Sequence, residues 1–295
     1  MAKARILVTG ATGRVGGALA PLLKRAGAQV VALVRDPARA KPLATQGIEL
    51  RQADLADPNS LPKALEGIDK AFLATGDSRE QATLETNFIA AAAAAGVGHI
   101  VKLSAQSAGL SPPRSFGVFH RQAEIALERS GVPFTVLRPT FFMQSLLLFA
   151  DDIRKKGQFT APIKGGRVAM VDLRDVAAVA ALCLADDAHK GRAYIVTGPR
   201  AIDFFEVAKL IGQARGRNVA FKPLPAFIAR LAMPYATGMP RWYANLVIDL
   251  FVALNKGAQM PMTDTVERLT GKKPRTLEAF LKENAAAFAP TPAGT

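Results

Sequence analysis

Three glycines, Gly10, Gly13 and Gly16, follow one another at intervals of three directly after the apolar, β-branched run Ile6-Leu7-Val8-Thr9. A helical pattern begins at Val15. Strand, glycine turn and helix in that order make a phosphate site. The first amides of a helix point outward unpaired, and the aligned peptide dipoles favour an anion there. Gly10 allows a sharp turn, Gly13 lets the backbone approach a pyrophosphate, and Gly16 lets helix and strand pack closely. The stretch Gly10, Thr12, Gly13, Arg14, Val15 and Gly16 is therefore expected to hold a dinucleotide, with an ordinary glycine-rich turn as the plainer alternative. Charge bears on which dinucleotide. A carboxylate ending the second strand bonds the ribose of NAD, whereas a basic residue there accommodates a 2′-phosphate. That strand, Gln29 to Val34, ends in Arg35, and Arg14 is able to approach the same phosphate. Asp36 lies one place later and by strand alternation points elsewhere. NADP(H) is the expected cofactor, against the bland reading of Arg35 as a solvated strand end.

The elements that must position these residues alternate along the chain. Short apolar strands are expected at Ile48–Gln52, Lys70–Gly76, His99–Ser104 and Phe134–Pro139. Helical patterns lie between them at Val15–Arg25, Pro58–Leu65, Thr83–Ala95 and Ser115–Ser130. Pro21 sits beyond the first turn of its helix, removes an amide donor and implies a kink. The alternation implies right-handed βαβ crossovers and an α/β fold, a doubly wound Rossmann-type parallel sheet. Val168–Asp172 and Arg192–Val196 each read as a strand returning to that sheet. Beyond Gly198 the pattern turns helical at Asp203–Arg215, Ala226–Ala232, Arg241–Leu254 and Leu277–Phe288. Residues 1–198 are read as the dinucleotide-binding domain, with 140–166 contributing to a substrate pocket. Residues 199–289 form a smaller, mainly helical substrate or lid region, and 290–295 a frayed tail.

Composition narrows the class. The chain has 295 residues, 49% of them apolar, enough for a substantial core and too apolar for disorder. The first strand begins too near Met1 for a signal peptide, and no apolar run is long enough to span a bilayer, so a cytoplasmic protein is expected. Cys183 is the only cysteine, which excludes an intramolecular disulfide. The three histidines, His99, His120 and His189, lack ligand spacing, so no metal site is expected. Net charge is +14. The basic residues are dispersed and carry no nucleic-acid motif, which favours a solvated surface and a phosphate pocket over nucleic acid; an acidic protein partner stays open.

The TGATG run at Thr9–Gly13 resembles extended and atypical members of the short-chain dehydrogenase/reductase superfamily. GVPFTVLRPTFFMQ (131–144), VDLRDVAAVAALCL (171–184) and TVERLTGKKPRTLEAFLKEN (265–284) look like the NmrA-like family within it. That family includes quinone reductases, triphenylmethane-dye reductases and catalytically silent cofactor sensors. The resemblance runs over nearly the whole chain. It implies NADP(H) binding, with Asp54 and Leu55 near the adenine and Thr75 and Gly76 along the cofactor's path.

In the wider superfamily a Ser and a Tyr-x-x-x-Lys carry acid–base chemistry. By that resemblance Ser104, ending the fifth strand, stands where the Ser is expected, and the same residue is expected beside the cofactor. The alternative is that it only caps a strand end. The Tyr-x-x-x-Lys spacing falls on Phe116 and His120. A phenyl ring donates no proton, so alcohol–ketone chemistry by the tyrosine route is in doubt. His120-x-x-x-Glu124 is similar to a pattern of the quinone- and dye-reductase branch, and residues four apart share a helix face. His120 is thus a candidate proton donor or ribose ligand, with a structural histidine as the alternative. Glu124 reads better as a partner of the backbone or of an arginine than as a base. Phe116, Phe141, Phe142, Met143 and Trp242 suit the roof of a pocket for a flat, hydrophobic, quinone-like acceptor, unless they are core. The sequence thus points to an NADPH-dependent oxidoreductase acting on a conjugated acceptor. A non-catalytic NADP(H) redox sensor is the rival, and an epimerase or lyase is disfavoured by the missing acid.

Overall fold

The computed structural model of the chain describes residues 4–257 and 262–290. Seven parallel strands form the main sheet in the order β3-β2-β1-β4-β5-β6-β8. They are β1 (Arg5–Val8), β2 (Gln29–Val34), β3 (Glu49–Gln52), β4 (Lys70–Leu73), β5 (His99–Leu103), β6 (Phe134–Pro139) and β8 (Arg192–Val196). The order reverses between β1 and β4, which opens a crevice at the carboxyl ends of the strands. The crossovers on this half are α1 (Arg14–Arg25), α2 (Lys41–Ala44), α3 (Leu61–Leu65), α4 (Gln81–Ala94) and α5 (Gly117–Arg129). After β6 come α6 (Ala150–Lys156), β7 (Gln158–Ala161) and α7 (Leu173–Ala185), and after β8 come α8 (Phe204–Arg215) and β9 (Ala220–Pro223). The chain closes with α9 (Ala226–Thr237), α10 (Arg241–Asn255), α11 (Thr265–Thr270), α12 (Leu277–Glu283) and α13 (Ala285–Phe288).

Strand alternation decides which side chains fill which layer. Ile6, Val8, Ala32, Val34, Phe72 and Val101 face α1 and α7 on one side. Leu7, Val31, Leu33, Ala71, Leu73 and Ile100 meet α3 and α4 on the other. Both faces are covered, which is why these strands read as continuous apolar runs. A separate core joins Met143, Phe159, Phe204, Phe221, Phe251 and Phe280 and holds the C-terminal helices together.

Helix α1 runs unbroken past Pro21. Val168–Asp172 is not a strand of the sheet. β8 takes the place beside β6, and the segment's amides are met by single bridges: Val171 with Phe142, and Val168 with Ile202. Two strands without a sequence signal, β7 and β9, pair with each other in a parallel two-stranded sheet. Each has only four residues, too few to show a period. The terminal helical stretch divides at Asn284 into α12 and α13. Residues 291–295, within the expected frayed tail, lie outside the described residues. Among the described residues no helix is long and apolar enough to cross a membrane.

Gly198, just after β8, packs with its Cα against the carbonyl of Met170, where a Cβ would collide with backbone. Gly198→Ala should therefore destabilise the fold by about 1–3 kcal/mol, as overpacking of a fixed contact does. A urea midpoint equal to that of the unmodified protein would contradict this packing.

Candidate cofactor cleft and active site

The glycine turn is fastened to the end of β4. Thr9 Oγ1 donates to the Ala74 carbonyl and accepts from the Ala74 amide, each at 2.8 Å and buried. Gly10 then takes φ +60, where a Cβ would stand 2.9 Å from the Ala74 oxygen. The Gly13 amide closes the turn on the Gly10 carbonyl at 2.8 Å. Gly13 caps α1 without any side-chain acceptor, and the first turn carries no acidic residue. The first amides are thus left for an outside anion. Gly16 packs against the Gly10 carbonyl so closely that a Cβ would overlap it. Thr12, Gly13 and Arg14 are exposed, while Val15 is buried in the core.

Arg35 ends β2 exposed at the same rim, and neither it nor Arg14 has an ion pair among the described residues. Asp36 is turned aside, its Oδ1 accepting from the Ala38 amide at 2.9 Å. Asp54 is exposed and caps its own loop through the Ala56 amide at 2.9 Å. Leu55 is buried, and its carbonyl receives Asn87 Nδ2 at 2.9 Å. Gly76 faces open space, with nothing within 4 Å of where a Cβ would lie. Thr75 is half-buried and donates to Glu85 Oε1 at 2.9 Å.

That last bond leads into a buried polar network. Glu85 on α4 and Lys102 on β5 form an ion pair at 2.6 Å, with both side chains 0% exposed. Lys102 Nζ also donates to the Leu103 carbonyl at 3.0 Å and lies 3.4 Å from His120 Nδ1. Gln81, one turn before Glu85, places its amide nitrogen 3.0 Å from the same ring atom. Lysine has only protons to give, which favours Nδ1 as the acceptor and the ring proton on Nε2, while the Gln81 amide nitrogen also stands 3.3 Å from Nε2. Burial, together with the Lys102 charge, holds the His120 pKa well below the ordinary histidine value. At neutral pH His120 is therefore a neutral imidazole. Proton donation by an imidazolium, one of the roles expected for it, does not fit this setting.

Ser104 is buried and donates its hydroxyl proton to Glu124 Oε1 at 2.6 Å. Glu124 also receives Arg138 through Nε at 3.0 Å and Nη2 at 2.6 Å, and Arg121 at 3.1 Å. Burial works to raise the Glu124 pKa, but the bonds from Arg138 and Ser104 outweigh it and hold the carboxylate ionised. Ser104 with Glu124 ties β5, α5 and β6 together. In this structure the Ser104 proton goes to Glu124.

The aromatic candidates divide. Phe116 stands at the start of α5, edge-on to Tyr243 of α10 with ring centres 5.4 Å apart. Trp242 packs edge-on to Tyr243 and lies under the Arg79 guanidinium, 5.5 Å from its ring centre. Tyr243 donates to Asp77 Oδ2 at 3.1 Å. Burial and the nearby Asp77 carboxylate push the Tyr243 pKa up to about 12, so the phenol keeps its proton. Two contacts thus latch α10 onto the loop after β4, beside Thr75 and Gly76. Phe141 belongs instead with Phe204 and Phe251, and Met143 is 1% exposed in the same core. Met143 is packing rather than pocket wall, and Phe141 is chiefly so. Phe142 packs, half-buried, on the core beneath α7. Among the described residues no group of three or more metal-ligating side chains forms.

Sequence reasoning missed Lys102, Glu85, Gln81, Asp77 and Arg79. One signal was available: a lysine inside the apolar strand HIVKLS must be buried, and a buried lysine requires a carboxylate. Which carboxylate it meets depends on how α4 docks, and strand and helix patterns are silent on that.

The pattern of the NmrA-like family matches residues 2–281, and the chain belongs to that family. An NAD(P)H azoreductase of Xenophilus azovorans is 38% identical over 283 residues, covering 96% of this chain and 99% of its own. A (4-alkanoyl-5-oxo-2,5-dihydrofuran-3-yl)methyl phosphate reductase of Streptomyces griseus is 39% identical over 286 residues, with coverages of 97% and 99%. Among solved structures, an NADPH-dependent quinone oxidoreductase of Escherichia coli in complex with NADPH matches with a TM-score of 0.88. Its identity is 31%, and the match covers 95% of this chain and 99% of that one.

Lys102→Met leaves Glu85 buried without its cation and should cost about 3–5 kcal/mol in urea unfolding. Pairing it with Glu85→Gln should restore a large part of that loss. Additive losses in the double variant would contradict the pairing.

Proposed function

We propose that the protein is an NADPH-dependent reductase that passes hydride to a quinone-like or other conjugated, apolar acceptor. The observation that carries the reading is His120, set against Lys102 and Gln81 one helical turn after Phe116, which stands where the superfamily keeps its phenolic acid. The residues present fit the cofactor. Gly10 and Gly13 leave the turn without side chains, the N-terminus of α1 has no capping carboxylate, and Arg14 and Arg35 are cations without a protein partner among the described residues. In this reading the first-turn amides hold the pyrophosphate, Arg35 and Arg14 hold the 2′-phosphate, and Thr75 and Gly76 line the path toward Ser104. The relatives named above act as NAD(P)H- or NADPH-dependent enzymes or carry a reductase name, in line with this reading. A cytoplasmic location, where such a cofactor is at hand, follows from the proposal.

Bound NADPH supplies the hydride. The chain supplies position and polarity. Phe116, Tyr243 and Trp242 form an apolar wall suited to stacking a flat acceptor and excluding water. Lys102 and Gln81 fix the His120 ring, and the Nε2 proton is offered as a hydrogen bond to an acceptor oxygen on which negative charge develops. No strong acid is needed, because that charge is delocalised in a reduced quinone and solvent completes the protonation. Ser104, Glu124 and Arg138 hold the strand and helix that carry these groups.

Three expectations follow from the chemistry. NADPH should bind more tightly than NADH, and Arg35→Ala should remove about 1.5–3 kcal/mol of that preference, the size of a charge-assisted contact. Equal affinity for both cofactors in the unmodified protein, by titration, would overturn the phosphate assignment. His120→Ala should slow quinone turnover by about 10²-fold, as loss of a preorganised donor does. Its pKa is depressed, so turnover by the unmodified protein should stay level from pH 8 to below about 6.5 and fall only when the ring takes a proton. Turnover that instead rises as pH falls through the ordinary histidine pKa would show that His120 works as an imidazolium, and a fall on acidification centred there would show that its pKa is not depressed.

A further inference from the structure

Helix α9 leaves a wide apolar face in solvent. Phe227 is 68% exposed, Leu231 66%, Tyr235 82% and Ile228 38%. Their spacing of one, four and eight residues places all four on one side of the helix. The opposite side is spoken for. Ala229 is buried, and Arg230 reaches α10, where it bonds Asn245 Oδ1 at 3.2 Å and pairs with Asp249. Single exposed apolar residues are ordinary, but four neighbours on one helix face are an interaction surface.

Charge decides what covers it. Between Arg217 and Thr263 the chain carries five basic residues, Arg217, Lys222, Arg230, Arg241 and Lys256, and one acidic residue, Asp249. Asp249 is neutralised by Arg230. Lys222 lies four residues before α9 and Arg241 four after its end, both exposed and without an ion pair among the described residues. Along the chain α9 is thus flanked on both sides by exposed cations, within a chain of net charge +14. A second copy is a poor occupant. An antiparallel two-fold pairing along α9 would set Lys222 of one copy beside Arg241 of the other, like charge against like, with no free carboxylate in the segment to offset them. An anionic lipid surface answers both features: acyl chains take Phe227, Leu231 and Tyr235, and headgroups take Lys222 and Arg241.

We infer that α9 is a peripheral docking helix that seats the protein on anionic membranes with its apolar face in the headgroup–acyl boundary. It goes beyond the reductase reading and stands on α9 without it. The two meet in one consequence. α10, which packs on α9, carries Trp242 and Tyr243 at the cleft, so a docked molecule holds its aromatic wall close to the layer in which apolar acceptors dissolve.

The test is sedimentation of the full chain with phosphatidylcholine vesicles, with and without phosphatidylglycerol. The unmodified protein should sediment with the anionic vesicles, and raised salt should release it. Leu231→Asp should weaken that binding by about tenfold or more, since it puts a charge at the centre of the buried face. Lys222→Glu with Arg241→Glu should do the same on anionic vesicles. Circular dichroism and NADPH binding report whether each variant is folded, and Leu231→Asp should keep the unmodified protein's NADPH affinity in solution. Absence of sedimentation by the unmodified protein overturns the inference. So does sedimentation that the variants do not weaken. A concentration-dependent dimer that Leu231→Asp dissolves, in place of vesicle binding, would assign the face to a second copy and overturn it as well. Vesicle binding without quinone turnover would leave docking standing and remove the reductase reading.

Discussion

The arrangement around His120 depends on one ion pair sealed from water, Lys102 with Glu85. Taking two charges out of solvent costs several kcal/mol for each ion, and only close contact with satisfied hydrogen bonds offsets it. Both conditions hold for the lysine: its ammonium meets Glu85 at 2.6 Å and the Leu103 carbonyl at 3.0 Å, and lies 3.4 Å from His120. The pair locks α4 to β5 directly behind the cleft. It also puts a fixed positive charge beside the imidazole, which is why burial and Lys102 act in the same direction on His120. The charge state of the ring follows from burial first and from that neighbour second. A second buried carboxylate, Glu124, holds the opposite wall by gathering Ser104, Arg121 and Arg138.

Cofactor side and catalytic side are built on different physics. The glycine turn works by absence. Side chains are missing at Gly10, Gly13 and Gly16, no side chain caps α1, and its first turn carries no acidic residue, so the first amides are left for an anion. The catalytic side works by saturation, since nearly every polar atom near His120 is already engaged. Gln81 Oε1 is an exception, a buried acceptor without a partner. The two meet at Thr75, whose hydroxyl bonds Glu85 while its backbone leads into Gly76 and the Asp77–Tyr243 latch.

Much of this was legible in the sequence. β1, β2 and β5 carry continuous apolar runs because both sheet faces are covered, and the glycine turn announces itself by spacing. Arg35 against Asp36 was decided by alternation, and the structure shows Asp36 turned into a cap. Val168–Asp172 misled because its apolar run serves a core contact, and single bridges meet its backbone in place of a ladder. Met143 misled in the same way: apolar character beside a cleft is shared by wall and core, and only the packing against α8 and α10 separates them. The Lys102–Glu85–His120 set was hidden for a different reason. Its members are separated by 17 and 18 residues along the chain and meet only when α4 and α5 dock on β5.

The central claim is that a site with a neutral histidine and no phenolic acid at the superfamily position turns over a conjugated acceptor. The most direct measurement is steady-state oxidation of NADPH by the purified protein with a water-soluble quinone, compared with the same mixture lacking protein and with a simple ketone in place of the quinone. The account expects sustained, enzyme-proportional turnover of the quinone well above the uncatalysed rate, and little or none of the ketone. Tight NADPH binding with no turnover across quinones and azo or triphenylmethane dyes would contradict it.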